Sequence, residues 1–415
     1  MTRHSPTGRT RAEPGTGTAL LVAGLALAGT IALTAATASA LSIVMARRIV
    51  TPATKREQDT RILAVDLAAG TITLRSTPDS RLRGEYSLWF ADETGHARVG
   101  EIIRSDADSV TRRLTAVDFG DLAHARLGRL AGYHFLGPAD LGFPFQDVVV
   151  PTDLGDAPAW LIPAAEPDGR WVIQVHGRGV QRSETLRAVP AFRDAGYTSL
   201  LVSYRNDREA PASLDGRYGL GDTEWLDVDA AIGFARDQGA TSIVLMGWSM
   251  GGAIALHAAS RTEHRDILTG IVLDSPVVDW ADVVGFHGEA LGLPAPIMAG
   301  AMRVMGQRWG GLLTGQARPI DFRRLDVVAR ADDLSLPILL MHSDDDGYVP
   351  STGSRALALR RPDLVTFVPF TIARHTKLWN YDPEGWNRAI TRWLAALAPS
   401  GHMSPRSHPP ATGED

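Results

Sequence analysis

Cysteine is absent from this 415-residue chain, which excludes disulfides, thiolate metal sites and a cysteine nucleophile together. Lysine is almost absent too: Lys55 and Lys377 stand alone among many arginines. A surplus of one charge is also lacking. The net charge is −5 with both signs interspersed, so no basic stripe of the kind that binds nucleic acid is present. Histidines and carboxylates fall at no clean metal-ligand spacing, and neither a metal nor an organic cofactor is expected. What is present is enough apolar material, 44% of 415 residues, to bury a full-sized core as one large domain plus a smaller one.

One run carries no charge at all, TGTALLVAGLALAGTIALTAATASALSIVMA from Thr16 to Ala46. After a polar segment over 1–17, residues 18–46 read as a transmembrane helix or a signal peptide. About 20 apolar residues span a bilayer and the apolar region of a signal peptide is roughly 7–15 residues, so the length favours an uncleaved single-pass anchor. Ala38-Ser39-Ala40 offers a cleavage site, and secretion after Ala40 stays open. Arg3, Arg9 and Arg11 before the run and Arg47 and Arg48 after it leave the orientation weakly set. The expectation is a membrane protein with its main domain outside the cytoplasm.

Residues 47–60 read as a polar linker, and 61–145 as a β-rich module of short alternating or β-branched runs broken by Gly, Asp and Pro. No catalytic constellation is visible in that module, whose expected role is structural or substrate-gating. From 146 to 398 apolar runs of strand length alternate with helical stretches. The strands are WVIQVHG, YTSLLVSY, SIVLMGW, GIVLDSP, PILLMHS and LVTFVPF, and the helical stretches include TEWLDVDAAIGFARDQGA and GWNRAITRWLAALA. Continuous apolar strands between helices predict a doubly wound α/β domain with a mostly parallel sheet. The connection over about 277–335 is too long for a normal crossover and predicts a helical cap. The tail, 399–415, lacks apolar periodicity and is expected to be disordered.

Gly247-Trp248-Ser249-Met250-Gly251 lies between a strand and a helix. With 41 glycines the bare G-x-S-x-G pattern says little, but a strand-to-helix turn forces a serine outward on strained backbone, and the glycines permit the tight packing. A serine hydroxyl needs a base to take its proton and a carboxylate to orient that base, both following in the chain. Of the later histidines, His375 alone follows the last strand, in PFTIARHTKLWNYDP, where it could reach back to Ser249. His257 reads as helix-packed, His342 as a strand-end residue, and His264 and His287 as lying in a connection and the cap. HSDDDGYVP offers three adjacent acids, Asp344, Asp345 and Asp346.

Over 171–398, the stretches GWSMGG, HSDDDGYVP and ARHTKLWN resemble the nucleophile elbow, acid loop and histidine loop of the α/β-hydrolase superfamily. The resemblance implies an α/β-hydrolase fold. It implies a serine hydrolase acting through an acyl-enzyme on a small-molecule ester, or an amide or short peptide, with Ser249 as nucleophile and His375 as base. An acid loop of the form H-G-x-x-D-x-x-V-P matches at His342, Asp346, Val349 and Pro350, with Ser343 for the glycine, and selects Asp346; a loop shift of one residue would promote Asp345. The oxyanion donors implied are the amides of Met250 and, from the H-G-x-G-like His176-Gly177-Arg178-Gly179, of Arg178. The Arg178 side chain is left to meet a substrate carboxylate or pair with Glu184. GWSMGG also resembles prolyl oligopeptidases, so a peptidase is an alternative, as are an acyltransferase and a membrane-anchored binding protein on an inactive hydrolase fold. Arg205, Asn206 and Asp207 read as an ion-pair and turn network or as substrate contacts, and Asp222, Thr223 and Glu224 as helix-capping residues and first-turn acids rather than a metal site.

Overall fold

Alternating apolar residues over 60–131 close a small sheet on itself. The computed structural model describes residues 35–53 and 55–397. Six strands, β1 (Thr60–Asp66), β2 (Thr71–Arg75), β3 (Tyr86–Phe90), β4 (Gly95–Ser105), β5 (Ser109–Phe119) and β6 (Leu127–Ala131), form a closed barrel in the order β1-β2-β5-β4-β3-β6. All six neighbouring pairs are antiparallel. Ile72, Leu74, Leu88, Phe90, Ala97 and Val99 contribute to its core, and closure leaves no sheet edge to protect.

The second sheet has eight strands in the order β14-β13-β12-β11-β9-β10-β8-β7. They are β7 (Gln146–Thr152), β8 (Gly155–Ile162), β9 (Arg170–Val175), β10 (Thr198–Val202), β11 (Ser242–Trp248), β12 (Leu268–Asp274), β13 (Ile338–Ser343) and β14 (Val365–Phe370). β8 runs antiparallel to both β7 and β10, and the other pairs are parallel. The inner strands are apolar at nearly every position because helices cover both faces. Trp225–Asp237 and Met250–Arg261 pack on one side. Pro383–Leu397 seals the other with Trp386, Ile390, Trp393 and Leu394 at helical spacing. Because β9 lies between β10 and β11, the chain turns to opposite sides of the sheet there. The carboxyl ends of β9 and β11 therefore border the crevice where such sheets bind ligands.

Between β12 and β13 the chain forms a cap of helices, Trp280–Ala290, Ala295–Met305, Gly311–Thr314 and Phe322–Leu325. Onto this cap docks a helix that requires a correction. Residues 18–34 of the expected membrane span lie outside the described residues, but 35–50, including the start of the expected linker, form a helix. Ser42, Ala46 and Val50 are buried, and Ile43, Met45 and Ile49 pack against the main core. Ser42 Oγ donates to the carbonyl of Ile297 at 2.9 Å, and a Cβ on the facing Gly300 would lie 2.4 Å from that oxygen. An apolar helix face is satisfied equally by lipid and by a protein core, and here small residues let a cap helix approach closely. Among the described residues no helix is long and apolar enough to cross a membrane. The tail over 399–415 also lies outside the described residues.

Candidate active site

Ser249 joins β11 to the helix Met250–Arg261 with φ 52° and ψ −119°, a conformation that costs a non-glycine residue on the order of 1–3 kcal/mol. The turn is so tight that a Cβ on Gly247 would lie 2.3 Å from the carbonyl oxygen of Gly251, and one on Gly251 would lie 2.3 Å from that of Val175. The Ser249 amide donates to the Asp274 carbonyl (3.0 Å), and its own carbonyl accepts from Gly252 and Val277 (both 3.0 Å). These bonds hold the side chain at the carboxyl end of the sheet, where it is partly exposed.

His375 Nε2 lies 3.0 Å from Ser249 Oγ, and His375 Nδ1 lies 2.7 Å from Asp346 Oδ2. The histidine loop after β14 is strained on both sides of the ring, with φ 62° at Arg374 and 51° at Thr376. Ala373 N donates to Ser343 Oγ (2.8 Å), Arg374 N to Asp345 Oδ1 (2.9 Å) and Thr376 N to Ser275 Oγ (3.1 Å). Asp346 Oδ1 accepts from the amides of Tyr348 (2.8 Å) and Val349 (2.9 Å), while Oδ2 also faces His342 Nε2 at 3.3 Å. Burial opposes charge on Asp346, yet the charge and hydrogen bonds of His375 and His342 hold it far below the usual carboxylate range. Burial likewise opposes protonation of His375, but the Asp346 carboxylate outweighs it and raises the imidazole above its ordinary value. In such a relay the Nδ1 proton is fixed toward the carboxylate, leaving Nε2 free to accept a hydroxyl proton.

The three neighbouring aspartates separate by what they touch. Asp344 pairs with Arg355 on the surface, and Asp345 accepts from Ser343 Oγ (2.7 Å) and the Arg374 amide. Only Asp346 of the three bonds to the His375 ring. Tyr348 lies against His375 with ring centroids 5.5 Å apart, and His287 from the cap lies 6.1 Å from Tyr348. Sequence reasoning misses this rim, because no local pattern marks a cap residue that folds back over the sheet.

The loop after β9 comes close to the serine, since a Cβ on Gly177 would lie 3.3 Å from Ser249 Cβ. Glu184 Oε2 accepts from the Gly177 amide (2.7 Å), and Tyr204 donates its hydroxyl hydrogen to the Gly177 carbonyl (2.8 Å). His176 stacks on Tyr204 and bonds to Asp207 at 3.1 Å. The Arg178 side chain does not form the expected pair with Glu184. Its guanidinium donates to the carbonyls of Arg48 (3.1 Å), Ile49 (2.7 Å) and Thr51 (3.3 Å), capping the helix 35–50 at its negative end. The loop beside the serine and the N-terminal helix are thus tied together through one residue.

Around this centre, Arg205 pairs with Asp227 and Asp153, Asn206 bonds to Ser213 and Arg217, and Asp207 holds His176, so the cluster forms a buried network. Asp222 and Glu224 do not cap the following helix. Asp222 pairs with Arg324 of the cap (2.9 Å), and Glu224 accepts the amides of Gly219 (2.7 Å) and Gly221 (2.8 Å). Among the described residues no cluster of three or more histidines and carboxylates is placed to hold a metal. A second relay lies in the barrel, with Ser87 Oγ and Asp118 Oδ2 each 2.7 Å from the His96 ring. Ser87 and His96 are both 0% exposed, so no substrate can meet that hydroxyl, and the trio serves packing.

A doubly wound sheet with a serine on a strained turn after a central strand defines the class. A model described as "Alpha/beta hydrolase family" matches residues 172–411, more than half of the chain, and the chain belongs to that family. A second model, "Domain of unknown function (DUF8805)", matches residues 61–131, the extent of the barrel. Solved structures similar to the chain include an esterase from Pyrococcus furiosus, at 19% identity over 63% of this chain and 96% of that one with a TM-score of 0.49. Others are a thermophilic esterase from Thermogutta terrifontis (20% identity, 61% and 99%, TM-score 0.43) and a bromoperoxidase from Bacillus anthracis (17% identity, 60% and 100%, TM-score 0.43). No curated protein matches the sequence.

Proposed function

We propose that the protein is a serine hydrolase that cleaves an ester through an acyl-enzyme. Ser249 is the nucleophile, His375 the general base and then general acid, and Asp346 the carboxylate that orients and stabilises the imidazolium. The observation that carries this reading is the unbroken line Ser249 Oγ–His375–Asp346 (3.0 and 2.7 Å) ending at a partly exposed serine. As Oγ attacks the carbonyl carbon its proton passes to His375 Nε2, and the carbonyl electrons move onto oxygen. The backbone amides of Met250 and Arg178 are the proposed donors to that oxyanion. Collapse of the intermediate expels the alcohol, which takes the proton from Nε2, and water then repeats the sequence on the acyl-enzyme.

A peptidase of the prolyl-oligopeptidase type is disfavoured because residues 60–131 close as one six-stranded barrel, not as propeller blades of four strands each. The uncharged residues ahead of the docked helix are proposed to tether the enzyme to a membrane with its hydrolase domain extracytoplasmic. Cleavage after Ala40 is the alternative, and it would leave Ser42 and the rest of the docking face in place. Turnover of p-nitrophenyl acyl esters against aminoacyl and prolyl anilides tests the reaction. The ester reading requires faster ester cleavage that Ser249→Ala abolishes, and preference for the anilides would overturn it.

A further inference from the structure

The barrel supplies none of the proposed catalytic groups, yet one of its loops reaches the histidine loop. Between β2 and β3, residues 76–85 present Asp79, whose Oδ1 lies 2.9 Å from Lys377 Nζ and 3.4 Å from Arg374 Nε. Arg374 immediately precedes His375, and Lys377 follows it by two. Lys377 is one of only two lysines in the chain. The paired cations hold the Asp79 carboxyl below its usual range against the opposing effect of burial. Arg374 also grips the acid loop, donating from its guanidinium to the Asp345 carbonyl at 2.9 Å.

The loop that carries Asp79 is itself fixed from inside the barrel. Arg112 of β5 is 0% exposed. Among the described residues it pairs with no carboxylate, and it donates to four carbonyls: Gly100 (2.8 Å), Ser80 (3.0 Å), Leu82 (2.7 Å) and Gly84 (2.6 Å). Burial lowers its pKa to about 10. A guanidinium buried against carbonyls and the Tyr86 ring (5.2 Å to its centroid), with no counter-charge, is a costly way to fill a barrel, but three of those carbonyls belong to the loop bearing Asp79, so the arrangement rigidifies it. On the far side, Asn380 Nδ2 donates to the carbonyls of Glu85 and Gly132 (both 2.7 Å), and a Cβ on Gly84 would lie 1.8 Å from the Asn380 carbonyl oxygen. The barrel therefore meets the hydrolase domain at close quarters, on the segment that follows His375.

We propose that the barrel is a strut for the histidine loop and that Asp79 is a positioning residue, whose pairs with Arg374 and Lys377 hold His375 in register between Asp346 and Ser249. This rests on the serine-hydrolase reading. The strain at Arg374 and Thr376 explains the need, since two non-glycine residues at positive φ persist only when their surroundings over-determine them. The ring is faced by Asp346 from the acid loop, Glu184 and Asp274 from the sheet side, Tyr348 across its face and His287 from the cap, with Arg374 and Lys377 flanking it on its own loop.

The test is steady-state kinetics on a p-nitrophenyl ester, with thermal melting as a control for folding. Misplacement of the ring lowers kcat of Asp79→Asn about tenfold while KM changes less than about twofold, and Asp79→Glu restores most of the loss. Asp79→Asn also leaves two cations uncompensated beside the imidazole, so the acid limb of kcat/KM moves to lower pH; Lys377→Met removes one cation and moves it to higher pH. Loss of packing alone moves neither limb. Wild-type kcat, KM and acid limb in a folded Asp79→Asn protein would overturn the strut. If Asp79→Asn does not fold, the same wild-type values in Lys377→Met overturn it instead. If the wild-type protein fails to react with a fluorophosphonate, the hydrolase reading falls. The strut is then judged by NMR titration of the His375 ring, where an unmoved pKa in Asp79→Asn overturns it.

Discussion

Replacement of Asp346 by asparagine separates the proposed orienting carboxylate from its neighbours. Its Oδ1 accepts two backbone amides, from Tyr348 and Val349, so an asparagine carbonyl takes that side and the NH2 group turns toward His375 Nδ1. His342 does not compete for the carbonyl, because its Nε2 also faces the Val349 carbonyl at 3.0 Å. Facing a donor, His375 Nδ1 must become an acceptor, and the ring proton moves to Nε2. There it points at Ser249 as a donor and can no longer take the hydroxyl proton. Loss of the correct tautomer in such a relay costs about 10⁴ in kcat, roughly 5.5 kcal/mol of barrier. The two amide bonds survive, so the protein stays folded. The assay is ester turnover with thermal melting alongside. The reasoning is refuted if Asp346→Asn stays within about tenfold of wild type, and doubly so if Asp345→Asn or Asp274→Asn gives the large loss. Asp274 is the serious rival, since it is buried at the end of β12 and held by Trp386 Nε1 and Ser275 Oγ, both at 2.9 Å.

Gly251→Ala forces a methyl against the carbonyls of Val175 and His176. Overpacking of this kind costs about 1–3 kcal/mol; a lowered melting midpoint and reduced kcat are expected, and wild-type values for both would contradict the elbow geometry. Ala46→Asp places a carboxylate at a position that is 0% exposed. It should cost upwards of about 1–3 kcal/mol and open the helix 35–50 to limited proteolysis, whereas an unchanged melt would mean the helix does not dock. Because Asp346 raises the His375 imidazole and the base must be neutral, activity grows as pH rises through that raised pKa. The acid limb of kcat/KM thus lies above the pH at which a free imidazole titrates. A limb below that pH would show burial outweighing the carboxylate.

Features that a local pattern encodes are readable from sequence. β11, the glycines around Ser249 and the helix after it form one continuous signal, because the turn cannot be built from other residues. The strand-end positions of Asp346 and His375 follow from the alternation of strands and helices, and the structure brings both within hydrogen-bonding distance of the chain of contacts from Ser249. What is not readable depends on distant partners. β7 and β8 are half exposed and antiparallel, so they lack the solid apolar run of the inner strands. The loop around Arg178 is marked in sequence, but the contacts of its side chain with the carbonyls of Arg48, Ile49 and Thr51 are not. Residues 35–46 read as the end of a membrane span since apolarity does not say whether lipid or Ile297 and Gly300 will cover them. Nor does any spacing connect Asp79 with Lys377, almost three hundred residues apart.

Reaction with a fluorophosphonate followed by peptide mapping tests the central claim most directly. A single phosphonylated residue, Ser249, is predicted, with labelling abolished by Ser249→Ala, sharply slowed by His375→Ala and unaffected by Ser87→Ala. No labelling of the intact protein, or labelling that persists in Ser249→Ala, would contradict it.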